Sequence, residues 1–414
     1  MKILFVTAYY PPCDYGWGYM RICEQVADGL HDRGHEVAVL TSTYRHGEEF
    51  KPYPVHRLLR IDPDWALDRN AMLQFFVGRR QREAEDTEYL VNLVARFQPD
   101  IIFIWHGHGL ARQVLKTAES FPNIKTVYYF ANYLPELPDE YLAYWQEEAR
   151  NPLMRLIKTP LAKVALSQLK SEGKPIILDY PHSISVSHYV RDRLLSSIGP
   201  DAVVIPNGVD IDMFHNAVGW NGRSQPLSCV IAGRVAPEKG IHTVLQAFGQ
   251  LAQQGKLQGI HLTIIGKGPA DYRQQLDEII TQYNLQPHVT FANPVPIEAM
   301  PQVFAEHQIL LLPSEWDEPL SCTMLEAMSS GLMVLGTTTG GSGEALFHGE
   351  TGLTFTAGDA ADLATQLERI MQERDLPAQL AVQGQQLAET EFNIAVSVER
   401  IENYFQDLVM VHAS

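Results

Sequence analysis

Short apolar runs recur along the chain, each followed by a stretch with apolar residues at helical spacing, and this alternation restricts the fold more than any other feature. Lys2 to Thr7 and His35 to Thr41 read as strands on either side of an amphipathic helix from Tyr19 to Arg33. That order makes a parallel unit with a loop at its mouth. Further runs at Asp100 to Trp105, Thr126 to Phe130, Pro175 to Leu178 and Ile184 to Val186 extend the series, with a helix at Arg82 to Arg96. A second series starts at Ala202 to Pro206 and continues through Cys229 to Ala232, His261 to Ile265, Val289 to Ala292, Ile309 to Leu312 and Met333 to Gly336. Strands that are apolar throughout and separated by helices belong to parallel sheets covered on both faces. A chain of 414 residues exceeds one ordinary core. The expected fold class is therefore α/β, with two Rossmann-like, doubly wound parallel-sheet domains, residues 1–200 and 201–392. Such domains facing across a cleft would direct the carboxyl ends of both sheets to one shared site. No low-complexity tract and no repeat of solenoid period is visible.

Charge and cysteine content narrow the function. A formal net charge of -17 opposes nucleic-acid binding, because affinity for a polyanion is built from lysines and arginines. One segment departs from the acidic background. Residues 150–170 carry Arg150, Arg155, Lys158, Lys163 and Lys170 without an acid, among leucines and prolines. This segment is a candidate peripheral contact for an anionic membrane or a lipid-linked acceptor; the alternative is a solvated helix face. No apolar run is long enough to cross a bilayer, and Met1 leads directly into a strand, so the expected location is cytoplasmic, at most peripheral to the membrane. The four cysteines, at 13, 23, 229 and 322, show neither metal-site pairing nor a disulfide framework.

The strongest chemical signal is a pair of acids. Glu318 and Glu326 stand eight positions apart in P-S-E-W-D-E-P-L-S-C-T-M-L-E-A-M-S-S-G, Pro313 to Gly331. Glu318 follows the apolar strand Ile309 to Leu312, and Glu326 lies within a helix expected from Ser321 to Ser329. The unpaired amides that open this helix attract a phosphate. Glu318 would then lie beside the group attached to that phosphate, and Glu326 would reach a neighbouring ribose. Two hydroxyl-binding carboxylates around a diphosphate suit a nucleotide sugar. Arg234 and Lys239, five positions apart with Pro237 between them, supply two cations near another helix start. Such a pair would neutralise a departing diphosphate.

These residues resemble the retaining, GT-B-fold glycosyltransferases of the two-glutamate, E-x7-E family, the group 1 or family 4 type. The resemblance extends over nearly the whole chain. It includes Tyr10-Pro11-Pro12 with Gly18, Gly34-His35-Glu36-Val37, Pro206-Asn207-Gly208-Val209-Asp210, Gly233-Arg234 with Lys239-Gly240, Gly266-Lys267-Gly268-Pro269 and Gly340-Gly341. It implies metal-independent transfer of a sugar, typically a hexose, from a nucleoside diphosphate sugar to an acceptor hydroxyl, with no cofactor. Arg234 and Lys239 take the diphosphate in this reading, Glu318 the sugar hydroxyls and Glu326 the ribose. The backbone of Leu320, Ser321, Cys322 and Thr323, together with Gly18, Gly266, Asn293 and Val295, completes the donor site. The acceptor is a carbohydrate, a lipid-linked sugar or a small molecule. A final helix, about Asn393 to Val411 within 393–414, crosses back to the first domain.

Three positions depart from the family pattern. Trp17 replaces the first glycine of a pair, with Gly16 offset, so the loop Cys13 to Gly18 must run differently. Pro319 offers no amide where a phosphate contact is usual. Ala131 and Asn132 stand where the family places a histidine and an aspartate, leaving His106, His108 and Asn132 as candidates on the acceptor side.

Other readings carry less. Gly266-Lys267-Gly268 lacks the third glycine of a dinucleotide fingerprint. Asp210-Ile211-Asp212 and Asp62-Pro63-Asp64 imitate metal-binding pairs, and no metal is expected. Tyr9, Tyr10, Trp105, Tyr128, Tyr129, Tyr133 and Trp145 either stack on sugar rings or pack the core. The competing functions are a non-catalytic nucleotide-sugar-binding protein of the same fold and a nucleotide-sugar epimerase. Donor base, donor sugar, acceptor and linkage are not legible.

Overall fold

A computed structural model describes residues 1–13, 17–44, 47, 50–61, 71–149, 151–215, 227–373 and 375–410, with the backbone alone at Trp17 and Ala71. The chain divides into two units: residues 1–186, 190–205 and 398–414 form the first, and 187–189 with 206–397 form the second.

The first unit is built on a parallel sheet. Its strands are β1 (Lys2–Thr7), β2 (Glu36–Ser42), β3 (Val55–Leu59), β4 (Ile101–His106), β5 (Lys125–Phe130), β6 (His182–Ser185) and β7 (Val203–Val204), in the order β3-β2-β1-β4-β5-β6-β7. Ile3 to Val6 and Ile101 to Trp105 are buried throughout, as expected of central strands covered on both faces. Strand order reverses between β1 and β4, so the loops after Thr7 and His106 open at a topological switch point.

Two readings change here. Pro175 to Leu178 is not a strand, since Pro175 has no N–H for a ladder and Ile177 points to solvent. The run from Ala202 to Pro206 yields β7, which pairs with β6 and closes the first sheet instead of opening the second series. The last helix, Ile394–Met410, packs Phe405 edge-on against Phe103, with ring centres 4.9 Å apart. Its Glu402 accepts from Arg33 and lies 2.8 Å from His35 Nε2.

The second unit repeats the pattern with β8 (Leu227–Ala232), β9 (Ile260–Ile265), β10 (Val289–Ala292), β11 (Ile309–Leu312), β12 (Met333–Gly336) and β13 (Gly352–Thr354). All pair in parallel, in the order β10-β9-β8-β11-β12-β13, and the reversal falls between β8 and β11. Helix Ile241–Gln253 buries Val244, Leu245 and Phe248 against this sheet's core.

Helices Ala71–Phe76, Glu140–Gln146 and Pro152–Ser171 share a small separate core of Phe75, Tyr141, Trp145, Ala165 and Leu169 in the first unit. Arg79, 1% exposed, ties this group down. Its guanidinium lies over Phe75, donates to Glu83 Oε1 at 2.8 Å and pairs with Glu172. Burial opposes ionisation of Glu172, but hydrogen bonds from Arg79, Gln168 and Arg80 outweigh it and pull its pKa down to about 2. A depressed carboxylate stabilises the fold above its unfolded pKa of about 4.3, and that contribution is lost as pH falls through the folded value. Glu172→Gln should therefore destabilise the protein by about 2 to 3 kcal/mol at pH 7. In urea melts at pH 7 and pH 2.5, the gap between wild type and variant should narrow to well under half at the lower pH; an equal gap at both would refute this role.

Candidate active site

The switch point of the second sheet brings together the loops that leave β8 and β11. After β8 the chain passes Gly233 and Arg234, makes a 3-10 turn at Pro237–Lys239, and reverses at Gly240 before helix Ile241–Gln253. Lys239 thus ends a separate turn instead of opening the helix, as the position of Pro237 had implied. Gly240 has φ +64, and a Cβ there would lie 1.9 Å from the carbonyl oxygen of Pro313. Only glycine permits this left-handed turn and this close approach. The two loops are joined again where Glu315 N donates to Glu238 O at 2.9 Å and Thr243 Oγ1 donates to Glu315 Oε1 at 2.6 Å.

This contact presents Lys239 to Glu318. The ammonium donates to Glu318 Oε1, and Ser314 Oγ donates to the same oxygen at 2.7 Å. Trp316 closes the other side, with its ring centre 5.4 Å from Lys239 Nζ. Glu318 is buried, so its charge is held by partners instead of water. Ser314 and Trp316 escaped the sequence reading, because serine and tryptophan in a loop carry no spacing signal.

The backbone of Glu318 and Pro319 is held from behind. Gly341 N donates to Glu318 O at 2.7 Å, and Ser187 Oγ donates to Pro319 O at 2.7 Å. A Cβ on Gly340 would stand 2.2 Å from Glu318 O, and one on Gly341 2.0 Å from Pro319 O. Pro319 lacks an amide, yet its carbonyl is an anchor point. Leu320 is buried beyond it.

Helix Cys322–Ser329 then begins one residue later than expected, because Ser321 is its cap and accepts from Met324 N at 3.3 Å. Amides of Cys322 and Thr323 open the helix. Glu326 is half-buried on a helix whose Met324, Leu325, Ala327 and Met328 are buried. Cys322 reports how these groups cluster. Burial raises its thiol pKa, the charges of Glu326 and Glu318 raise it further, and the result is about 12.

Asn207, buried in the Asn207-Gly208-Val209-Asp210 segment, donates to Cys322 Sγ at 3.5 Å. Gly208 lies against the backbone of Ile394, and Asp210 accepts from Met213 N at 3.0 Å as the cap of helix Ile211–Phe214. The apparent metal-binding pair thus includes a helix cap; Asp62-Pro63-Asp64 lies outside the described residues. Among the described residues, no group of three or more His, Cys, Asp or Glu is arranged to hold a metal.

Arg234 is largely exposed, its guanidinium 3.0 Å from Glu238. An exposed i,i+4 pair of this kind contributes little, so the side chain is cheap to redirect. Gly266 and Gly268 follow β9, and a Cβ on either would lie under 2 Å from a carbonyl oxygen, 1.8 Å from Gly233 O and 1.6 Å from Val235 O. Asn293, exposed, and Val295, half-buried, follow β10.

The remaining candidates belong to the first unit. Gly18 sits in the first turn of helix Trp17–Asp32, which starts earlier than expected; Gly16 lies outside the described residues. Burial, and then the charge of His108, lower the pKa of His106 to about 3. His108 Nδ1 lies 3.2 Å from Glu140. Asn132 Oδ1 accepts from Leu134 N at 2.9 Å and so serves a turn. Tyr9, Tyr10, Trp105, Tyr128, Tyr129 and Trp145 are buried core residues, and of the seven aromatics only Tyr133 is half-exposed, with Arg193 over its ring.

A family model for glycosyl transferases group 1 matches residues 220–387, and one for glycosyltransferase family 4 matches residues 18–213. The chain belongs to this glycosyltransferase family. A GDP-mannose-dependent α-(1-6)-phosphatidylinositol monomannoside mannosyltransferase of Mycolicibacterium smegmatis is 25% identical over 245 residues, 55% of this chain and 61% of the relative. The putative glycosyltransferase YtcC of Bacillus subtilis is 22% identical over 261 residues, 58% of this chain and 63% of the relative. The matched stretch thus spans less than two thirds of either relative. Sucrose-phosphate synthase of Thermosynechococcus elongatus superposes with TM-score 0.72 at 18% identity, over 100% of both chains. Anabaena HepE, in complex with UDP-glucose, gives 0.69 at 20% identity, over 98% of this chain and 100% of that one. At these identities the likeness concerns fold, and the two parallel-sheet units are the Rossmann-like domains of GT-B proteins.

Two outcomes follow for members of this family built as this one is. Gly240→Ala should lower stability by about 3 kcal/mol, through left-handed strain and the clash with Pro313; a thermal midpoint equal to wild type would show that the loop contact is not required. The His106 imidazole should not titrate between pH 5 and 8 by NMR, whereas a midpoint near 6.5 would mean that the ring is hydrated.

Proposed function

We propose that this protein is a retaining glycosyltransferase that moves a sugar from a nucleoside diphosphate sugar to an acceptor hydroxyl. The observation that carries this reading is the Lys239–Glu318 pair at the β8/β11 reversal, beside the start of helix Cys322–Ser329. A diphosphate placed there meets the helix amides and Lys239, and Arg234 can leave Glu238 to join them.

As the bond between the sugar's anomeric carbon and the diphosphate oxygen breaks, negative charge grows on the leaving group. Cations aimed at that charge lower the barrier. Lys239 and Arg234 supply this positive charge, so the proposed reaction takes no metal. Glu318, released from Lys239 by the phosphate, accepts hydrogen bonds from sugar hydroxyls, and Glu326 accepts from the ribose. The acceptor oxygen forms its bond on the face the diphosphate leaves, and a diphosphate oxygen takes the acceptor's proton, so the configuration is retained. His106, with a pKa of about 3, binds a proton too weakly to act as base at neutral pH. A phosphate base also accommodates Ala131 at the position where the family places a histidine.

The Mycolicibacterium relative is named for GDP-mannose and the Anabaena structure contains UDP-glucose. The donor panel must therefore span bases and sugars. Purified protein should transfer a sugar from one member of a UDP-, GDP- and ADP-sugar panel, with the product anomer matching the donor by NMR. Arg234→Ala should lower kcat/KM by about 100- to 1000-fold, and Glu318→Gln by a similar factor, with the melting temperature kept. Wild-type turnover in either variant, or an inverted product, would defeat the assignment.

A further inference from the structure

Helix Pro152–Ser171 has two apolar faces. One packs Ala165 and Leu169, with Leu161 and Leu166, onto the small core beside Phe75 and Trp145. The other faces water. Leu153 is 74% exposed, Leu156 75%, Ile157 52% and Val164 58%. At about 3.6 residues per turn these four and exposed Pro160 form one stripe opposite the packed face. Fold packing accounts for the first face and leaves the second unexplained. A contiguous apolar patch of this kind marks a surface that meets something other than water.

The charges indicate what covers it. The helix contains Arg155, Lys158, Lys163 and Lys170 and no acid, within a chain of formal charge -17. Lys158 is turned inward, 3.9 Å from the Tyr144 ring centre, and Arg155 pairs with Glu148. Lys163 and Lys170, both exposed, run along one edge of the apolar stripe. Apolar side chains with lysines at their margin suit a bilayer interface, where leucines enter the acyl boundary and ammonium groups remain among anionic headgroups. No helix among the described residues is long and apolar enough to cross a membrane, so contact through this helix would be along the surface.

We propose that the outward face of helix Pro152–Ser171 docks the first unit on an anionic phospholipid surface. This docking is independent of the donor chemistry, because every residue involved lies in the first unit. It would place the protein where amphiphilic acceptors reside.

The test uses the whole protein and vesicles of phosphatidylcholine alone or mixed equally with phosphatidylglycerol, read by flotation. Wild type should partition onto the mixed vesicles at least about tenfold more strongly than onto phosphatidylcholine alone. Leu156→Glu with Ile157→Glu should cut that partition by about tenfold or more. Lys163→Glu with Lys170→Glu should abolish the preference for anionic lipid. Leu153→Glu with Val164→Glu is a second disruption of the stripe, should the first pair alter the circular dichroism spectrum. The proposal is overturned if wild type stays in the soluble fraction, or if neither apolar pair changes partition. It is equally overturned if light scattering without lipid shows a dimer that those pairs dissociate, which would make the stripe a self-association face.

Discussion

The backbone contact between the loops after β8 and β11 is the constraint on which the second unit's site depends. Gly240 turns left-handed against Pro313 O, and that approach brings Lys239 to Glu318. Lys239 is the last residue of the 3-10 turn Pro237–Lys239, which sets its direction. Removing two charges from water is costly, and the cost is offset here by Ser314 Oγ on the same carboxylate oxygen and by Trp316 beside the ammonium. An ion pair that is this well held and yet beside helix amides is suited to exchange one anion for another.

Around this pair, apparently separate motifs serve one arrangement. Gly340 and Gly341 admit the carbonyls of Glu318 and Pro319, and Ser187 anchors Pro319 from outside the loop. Asn207 reaches Cys322 at the start of the helix that carries Glu326, while Asp210 caps the turn that follows. Ser187 and Asp210 hold backbone in place, and Asn207 holds the Cys322 side chain. In the proposed reaction Glu318, Lys239 and Arg234 carry the chemistry.

The central strands were legible because strands buried on both faces are apolar throughout, as in Ile3 to Val6 and Ile309 to Leu312. The edge strands β3 and β13 gave no such signal. β3 carries His56 and Arg57 among its apolar residues, and β13 is a short piece led by a glycine. β7 was read as a strand but assigned to the wrong sheet, since two valines do not reveal which neighbour they pair with. Within the site, acids and bases at fixed spacing pointed to Glu318, Glu326, Arg234 and Lys239. The support from Ser314, Trp316, Ser187 and Asn207 arises from contacts between distant segments, which spacing does not encode. Asn132 and Asp210 look like site residues in sequence, and each is occupied with a local turn or cap. In the sequence the basic segment 150–170 fits either a membrane contact or a solvated helix face, and spacing alone does not show that Leu153, Leu156, Ile157 and Val164 line up opposite the packed face.

The most direct test of the account is calorimetric titration of nucleoside diphosphates against the matching monophosphates, in wild type and in Lys239→Met. If Lys239 trades Glu318 for phosphate, wild type should prefer the diphosphate by at least about tenfold, roughly 1.4 kcal/mol. That preference should fall sharply in the variant and weaken with added salt. An undiminished preference in Lys239→Met would contradict the account, because the second phosphate would then be bound elsewhere.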